Sequence, residues 1–134
     1  MAEIRVYPQG FRELARRIGG IRLAQVLQPP LVRSLERFRA DLAHYPPQRE
    51  GSRYRRTGRL GRSWAVRHSV TARGIEGETG TNVAHGPFVQ DAERQGWMHR
   101  GRWENTDEAV AARHRAAALA DFQAAVQAEL RRTR

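Results

Sequence analysis

Five arginines lie within the twelve residues from Arg53 to Trp64, together with two glycines and an aromatic residue near each end. A guanidinium group forms planar, paired hydrogen bonds with carboxylates and phosphates, and it also stacks on aromatic rings. The stretch follows a proline-containing segment and precedes a run that alternates like a strand, which predicts a basic loop. The chemistry of this loop therefore favours an acidic partner, either a nucleic acid or an acidic protein surface.

The whole chain is basic as well. Its 134 residues carry a formal net charge of +10, and all 24 basic residues are arginine. A GC-rich coding bias would favour arginine over lysine without any functional reason, so the residue type is less informative than the charge. The charge itself again indicates an acidic partner.

Size and composition exclude several classes of protein. A chain of this length predicts one domain with its own apolar core. The absence of cysteine excludes thiol catalysis, disulfides and thiolate metal sites. The first residues lack the apolar run of a secretory signal, and no segment approaches the roughly 20 apolar residues of a membrane span.

The other chemically capable residues give weak signals. No two of the five histidines have the spacing of helical metal ligands, and neither an HExxH nor a GxSxG motif is present. Asp91 and Glu93 form a close acidic pair, but such a pair in a loop is typical of a solvated surface. His68 is expected to be half-buried on a strand. An enzyme is therefore the weakest function class, and we expect no catalytic residue, cofactor or metal.

The first third of the chain predicts a short strand and a helical zone. Alternation over residues 3–7 predicts the strand. Apolar residues at three- and four-residue steps predict helices within about residues 9–44. Gly19-Gly20 is expected to end or bend the first helix, and Pro29-Pro30 to break the next, with Pro30 in the first turn of a new helix. The buried stripe of that new helix is predicted to be Leu31, Leu35, Phe38 and Leu42.

The rest of the chain divides into four parts. A basic loop over 46–62 leads to a sheet over about 63–89, which starts with the alternation of Trp64, Val66, His68 and Val70. A turn at 72–74 and a return strand at 75–80 complete a hairpin. A Trp-rich irregular loop follows over 90–104. The alanine content then predicts a C-terminal helix over about 106–131. Its N-cap would be Thr106, and its buried stripe Leu119, Phe122, Val126 and Leu130.

Three segments resemble a known family, the tail-component or neck proteins of long-tailed bacteriophages. Residues Thr57 to Ser63 are similar to its "TG-x-L-x-x-S" signature. Residues 82–90 resemble its "N-x-x-x-Y-A-x-x-V" segment, with His85 where a tyrosine is common. Residues 95–103 resemble the "Q-x-W-x-H-x-G-R-W" continuation of many phage members. Each motif is short, and their order along the chain is more specific than any one of them.

The resemblance implies a non-enzymatic virion protein of the head–tail junction, made in the host cytoplasm. It implies an α+β fold over residues 1–134, in which a small antiparallel sheet is packed by N-terminal helices and a long C-terminal helix. Family members form a ring, commonly of six subunits. The implied partners are further copies of the chain, the head connector or adaptor, and a tail terminator or tail tube protein. Packaged DNA would lie nearby, and no membrane is involved.

A closed ring of identical subunits needs two different surfaces on each subunit. The basic loop and the Trp-rich loop are expected to supply them, because arginine and tryptophan often anchor interfaces. Trp64 is expected in the core, whereas Trp97 and Trp103 suit core and interface equally. The predicted interface residues are Arg53, Tyr54, Arg55, Arg56, Thr57, Gly58, Arg59, Arg62, Trp97, His99, Arg100, Arg102 and Trp103.

Two other function classes are compatible with the residues. The arginine cluster interleaved with Tyr54 and Trp64 would suit a sequence-independent nucleic-acid-binding module, which tracks phosphates and stacks bases. No helix-turn-helix, RNA-recognition or zinc-finger signature supports that alternative. A small toxin-like enzyme is the third class, with no motif of its own.

Overall fold

The structure is a computed structural model that describes residues 2–6, 11–53, 55–70, 74–91, 93–103 and 108–133. The first half contains strand β1 (Ala2–Val6) and helices α1 (Phe11–Ile18) and α2 (Gly20–Ala43). The second half contains α3 (Arg59–Ser63), β2 (Ala65–Val70), β3 (Ile75–Gly80), α4 (Gly86–Gln90) and α5 (Glu108–Arg132). The fold class is α+β, as the sequence predicts.

The described strands form one antiparallel sheet in the order β1-β3-β2. Ile75, Gly77 and Thr79 alternate as the buried face of the central strand, which lies against α2. A Cβ at Gly77 would lie 2.5 Å from Cδ1 of Leu35, so only a glycine permits this close approach of sheet and helix. The hairpin of β2 and β3 was predicted correctly, although residues 71–73 of its turn lie outside the described part of the chain.

Helix α2 runs through Pro29 and Pro30 without interruption, so the predicted break was wrong. Neither proline has an N–H, and an interior proline costs a helix about 3 kcal/mol. Burial explains the continuity, because one apolar stripe crosses the prolines on a single face. Each buried leucine or phenylalanine contributes roughly 1.5–3 kcal/mol, which outweighs the local cost. The fully buried members of the stripe are Leu23, Leu27, Leu31, Leu35, Phe38 and Leu42.

Helix α5 lies antiparallel to α2, and acidic and basic side chains join the two helices at three levels. Arg22 donates two hydrogen bonds to Glu129, at 2.7 and 2.9 Å. Arg37 donates to Asp121 at 2.9 Å in the middle of the pair. At the other end, the Asp41 carboxylate accepts a hydrogen bond from Arg113 at 2.9 Å and lies 2.7 Å from a ring nitrogen of His114.

These contacts explain why the predicted buried stripe of α5 was partly wrong. Phe122 is buried and Val126 is half-buried, as expected. Leu119, however, is 52 % exposed, and Ala118 packs against the core instead. The helix is turned so that its acidic residues reach the arginines of α2, and this orientation carries Leu119 to the outside. The expected N-cap, Thr106, lies outside the described residues.

Three further expectations need correction. The predicted loop over 46–62 ends in helix α3, because Gly58 takes a left-handed conformation with φ of 73° and starts a helical turn. The predicted sheet over 63–89 ends at residue 80, and residues 86–90 form α4 with Pro87 in its first turn. His68 is exposed rather than half-buried, although Val66, two residues earlier on the same face of β2, packs against the core.

No helix among the described residues is long and apolar enough to cross a membrane.

Candidate interaction site

The Thr57–Ser63 segment folds into a compact turn that joins the basic loop to the sheet. Arg59 donates its backbone N–H to Oγ1 of Thr57 at 3.3 Å, and Leu60 is buried with 3 % of its surface exposed. The Ser63 hydroxyl donates to the Leu60 carbonyl oxygen at 2.6 Å and also contacts Oγ1 of Thr81. The segment therefore holds the loop against the end of β3, where the second motif-bearing segment begins.

Tyr45 and Arg56 hold the basic loop in place. The Gly61 N–H donates to the Tyr45 hydroxyl at 3.0 Å, and a Cβ at Gly61 would lie 3.0 Å from the Tyr45 ring. The Tyr45 and Trp103 rings contact each other, and the Arg56 guanidinium lies over both, 5.6 Å from the ring centre of Tyr45 and 5.3 Å from that of Trp103. It also donates a hydrogen bond to the Pro46 carbonyl oxygen. A guanidinium against two adjacent rings combines cation–π attraction with van der Waals packing, so Arg56 is a structural part of the site.

The Trp-rich loop is held from beneath by Gln95, which is 5 % exposed. Its Nε2 donates to the Val89 carbonyl oxygen at 2.7 Å and lies 3.4 Å from the carbonyl oxygens of His99 and Trp103. The His99 carbonyl oxygen also accepts the backbone N–H groups of Arg102 and Trp103, at 3.1 and 3.0 Å, so the buried amide of Gln95 lies at the centre of a hydrogen-bonded turn. The loop is therefore a defined structure over its described residues.

Two contacts join the Trp-rich loop to its neighbours. The Gly96 N–H donates to the Phe88 carbonyl oxygen at 2.7 Å, which ties the loop to α4. Arg102 donates to the Pro47 carbonyl oxygen at 2.8 Å, which ties it to the basic loop. The Trp103 ring lies 4.8 Å from the Tyr45 ring and meets the His99 ring edge-on at 6.2 Å. The two loops, far apart in sequence, thus share one packed junction.

A groove of about 770 Å³ runs along this junction. The basic loop lines one side of the groove, and α4 with the Trp-rich loop lines the other. Leu60 and Val89 give the groove aliphatic surface, and Phe88 and Met98 expose 63 % and 50 % of their surfaces beside it. Its volume lies in the range of roughly 300–1,000 Å³ that is typical of ligand sites. The groove therefore offers apolar surface to a partner.

Positive charge surrounds the groove. Arg49, Arg56 and Arg102 line it together with a single acid, Glu50. Arg53, Arg55 and Arg59 are exposed on the same basic loop, and they form no ion pair with residues that the structure describes. Unpaired exposed guanidinium groups beside apolar surface are common features of protein interfaces.

Two groups near the groove have shifted pKa values. Burial, followed by the nearby charge of Arg102, lowers the pKa of His99 below its ordinary value, so the imidazole is neutral near pH 7. Burial would raise the pKa of Asp91, but hydrogen bonds from the N–H groups of Glu93 and Arg94 and the charge of Arg94 bring it below the usual value. Asp91 thus acts as a turn cap, which is a structural role.

The predicted interface residues fall into two groups. Arg56, Arg62, Arg100, Arg102 and Trp103 contact their own chain: Arg62 donates to the Thr57 carbonyl oxygen at 3.0 Å and Arg100 to that of Gln95 at 3.3 Å. Trp97 is 78 % exposed, and the solvent-facing arginines of the basic loop lie on the outside with it. Tyr54 lies outside the described residues. Trp64 is 4 % exposed and belongs to the core, as expected.

Sequence reasoning missed three residues of the site: Tyr45, Phe88 and Met98. Tyr45 stands directly before the predicted loop over 46–62, and nothing in the sequence indicated that it would contact Gly61. Phe88 and Met98 did lie within the motif-bearing segments, and their apolar character next to arginines was the available signal.

The described residues contain no cluster of three or more side chains able to hold a metal ion. Comparison of the chain with protein-family models, with curated proteins and with solved structures gives no match.

Proposed function

We propose that this protein is a structural neck or tail-completion subunit of a long-tailed bacteriophage, which joins the head connector to the tail as part of a ring. One observation supports this above the others. The three segments that resemble the neck family are separated along the chain, yet all three line the same groove: Thr57 and Leu60 from the first, Phe88 from the second, and Met98 and Trp103 from the third. Segments that share one surface are expected when the resemblance reflects a common binding role.

The character of that surface also supports a protein partner. The exposed apolar side chains of Phe88 and Met98 line the groove together with the basic loop, and Trp97, next to Met98 in the chain, is also exposed. Apolar anchors rimmed by charge suit protein association, and arginines on the rim steer the approach of an acidic surface. In the ring, the exposed arginines of the basic loop meet acidic surfaces of a neighbouring subunit, of the head connector or of the tail.

Deletion of the gene tests the proposal. The coding sequence is removed from the phage or prophage genome that carries it, and the particles are imaged by electron microscopy. We expect DNA-filled heads and separate tails, and we expect purified protein added to the extract to restore joined particles. Joined particles formed in the complete absence of the protein would contradict the proposal.

A charge-reversed protein then tests the role of the basic loop. A triple variant with Arg53→Glu, Arg55→Glu and Arg59→Glu is added to the same extract, after circular dichroism has shown that it is folded. The matched control carries Arg12→Glu, Arg17→Glu and Arg115→Glu, which reverse the same number of charges at exposed positions on α1 and α5. We expect the control to restore joined particles and the triple variant to fail.

The same three exposed arginines favour one other function, sequence-independent binding of nucleic acid. In that case the isolated protein would shift DNA of any sequence in a gel, and its affinity would fall steeply with salt concentration. Tyr45 and Trp103 pack on each other and against Arg56, so a base would stack more readily on the exposed rings of Trp97 and Phe88. Salt-sensitive DNA binding combined with normal joining after gene deletion would establish the alternative.

A further inference from the structure

The groove between the two loops combines three properties that together select the chemistry of an occupant. Its walls carry the aliphatic side chains of Leu60 and Val89, and the exposed side chains of Phe88 and Met98 border it. Its charged residues are three arginines against one glutamate. Its volume, about 770 Å³, suits a segment of several residues rather than a single side chain.

Arg56 and Arg102 are held in place before any partner arrives. Arg56 is held against the adjoining Tyr45 and Trp103 rings and by its hydrogen bond to the Pro46 carbonyl oxygen, and Arg102 is held by its hydrogen bond to the Pro47 carbonyl oxygen. Each guanidinium has five N–H donors, so these contacts leave donors for a further acceptor. A preorganised guanidinium binds a carboxylate with little additional loss of side-chain entropy.

We propose, taking the partner to be a protein as in the proposed function, that this groove binds a short acidic peptide segment in which an apolar side chain is flanked by carboxylates. The apolar side chain lies between Val89, Phe88 and Met98, and the flanking carboxylates bind Arg102 and Arg56. His99, neutral near pH 7, forms part of the apolar wall. Charge complementarity therefore names the occupant: an aliphatic or aromatic residue within an acidic stretch of a partner protein.

A nucleic acid fits the groove less well. A single strand would place its bases on open aromatic faces; Phe88 offers one such ring, but the two largest rings of the groove pack on one another and against Arg56. The aliphatic surface of Leu60 and Val89 offers no hydrogen bond to a base edge. Phosphates would be attracted by the arginines, but the apolar half of the groove would remain unused.

Selection from a library of randomised octapeptides on the immobilised full-length protein tests the inference. We expect the enriched peptides to carry acidic residues around one apolar residue. Enrichment of basic or uncharged sequences, or no enrichment over a blank surface, would overturn the inference. The selection needs no phage particle, so the two experiments are independent. A negative selection would contradict the peptide-binding inference without bearing on the proposed neck function. Normal joining after gene deletion would contradict the neck function without reversing a positive selection.

Variants then locate the binding surface. Fluorescence anisotropy with one enriched, labelled peptide is measured for Arg102→Gln and Met98→Ser. Each is expected to weaken binding by about five- to tenfold, as for the loss of one charged hydrogen bond or one apolar contact. Arg115→Gln and Leu119→Ser are the matched controls, since Leu119 is 52 % exposed on α5 and Met98 is 50 % exposed at the groove.

Three outcomes contradict the inference at this stage. The first is equal weakening by the controls, and the second is unchanged affinity in both groove variants. The third is competition by a single-stranded oligonucleotide, or by self-association of the protein, at concentrations comparable with that of the peptide. Weakening confined to the groove variants, with thermal stability unchanged, supports the inference.

Discussion

The guanidinium carbon of Arg56 lies 5.3 Å from the ring centre of Trp103, although the two residues are 47 positions apart in the sequence. The Tyr45 ring lies beside Trp103 and 5.6 Å from the same guanidinium carbon. Arg56 therefore connects the basic loop to the Trp-rich loop through its ring contacts, and its hydrogen bond to the Pro46 carbonyl oxygen fixes it within the basic loop. An arginine that the sequence suggested as a partner-binding residue thus holds two loops of its own chain together.

Replacement of Arg56 should lower stability, whereas replacement of its neighbour should not. We expect Arg56→Gln to reduce the free energy of unfolding by about 1–2 kcal/mol, because it loses a cation–π contact and a hydrogen bond. Arg55→Gln, at an exposed position, should change it by less than about 0.5 kcal/mol. Urea unfolding followed by tryptophan fluorescence measures both. Equal stability of the two variants would show that the stack contributes nothing.

The contact between the sheet and α2 depends on Gly77. An added Cβ would lie 2.5 Å from Leu35 Cδ1 and 3.3 Å from the Arg67 carbonyl oxygen, so Gly77→Ala overpacks the core. We expect a loss of about 1–3 kcal/mol in the free energy of unfolding. Gly20→Ala is the control: nothing lies within 4 Å of a Cβ there, and alanine favours a helix by up to about 1 kcal/mol. Thermal unfolding by circular dichroism distinguishes the opposite signs.

Because of the orientation of α5, replacing two apolar residues three positions apart should change the stability of the protein by different amounts. Phe122 is 8 % exposed and Leu119 is 52 % exposed. Phe122→Ala should destabilise the protein by about 3–5 kcal/mol, and Leu119→Ala by less than about 0.5 kcal/mol. Chemical denaturation of both variants tests this difference. A larger loss for Leu119→Ala would mean that the helix packs through the stripe expected from the sequence.

The Arg22–Glu129 pair should make stability depend on acidity. Hydrogen bonding to Arg22 is the main cause that lowers the pKa of Glu129 from its ordinary value of 4.5. A carboxyl with a lowered pKa in the folded state stabilises the fold above its unfolded pKa, and this stabilisation is lost as the pH falls through the folded pKa. We therefore expect the melting temperature of Glu129→Gln to lie below that of the wild type at neutral pH. The two melting temperatures should converge as the pH falls below 4.5.

The measurement is a series of melting temperatures from neutral to acidic pH, with Glu36→Gln as control. Glu36 forms an exposed pair with Arg39 at 3.0 Å within α2, and such pairs contribute little. A constant difference between Glu129→Gln and the wild type across the series would show that ionisation of Glu129 is not the cause.

Periodicity in the sequence was sufficient for most of the secondary structure. The alternation after Trp64, the three- and four-residue steps before Leu42 and the alanine content after residue 108 all predicted the elements that formed. Predictions from local sequence failed where tertiary packing outweighed local preference. Pro29 and Pro30 predicted a helix break because proline has no N–H to donate within the helix. The burial of the surrounding leucines, which keeps the helix continuous, depends on helices and strands distant in sequence.

The candidate site was predictable only in part. Its arginines and tryptophans were visible as residue types, but exposure separates Trp97 from Trp103, and neither the spacing nor the composition distinguishes the two. The contacts of Tyr45 with Arg56 and Gly61 join positions whose pairing no local pattern records. The residue types of the candidate site were therefore easier to predict from the sequence than their exposure and contacts.

Helix α2 contacts α1, α3, α5 and all three strands, and this position constrains the order in which the protein matures on the ribosome. The helix is synthesised early, yet β3 ends at residue 80 and α5 begins at residue 108. While the middle of the chain is being translated, only α1 and β1 among the described elements are available to pack against the leucine stripe. A chain that ends before α5 would therefore leave part of the stripe exposed, and we expect such a fragment to be cleaved readily by proteases.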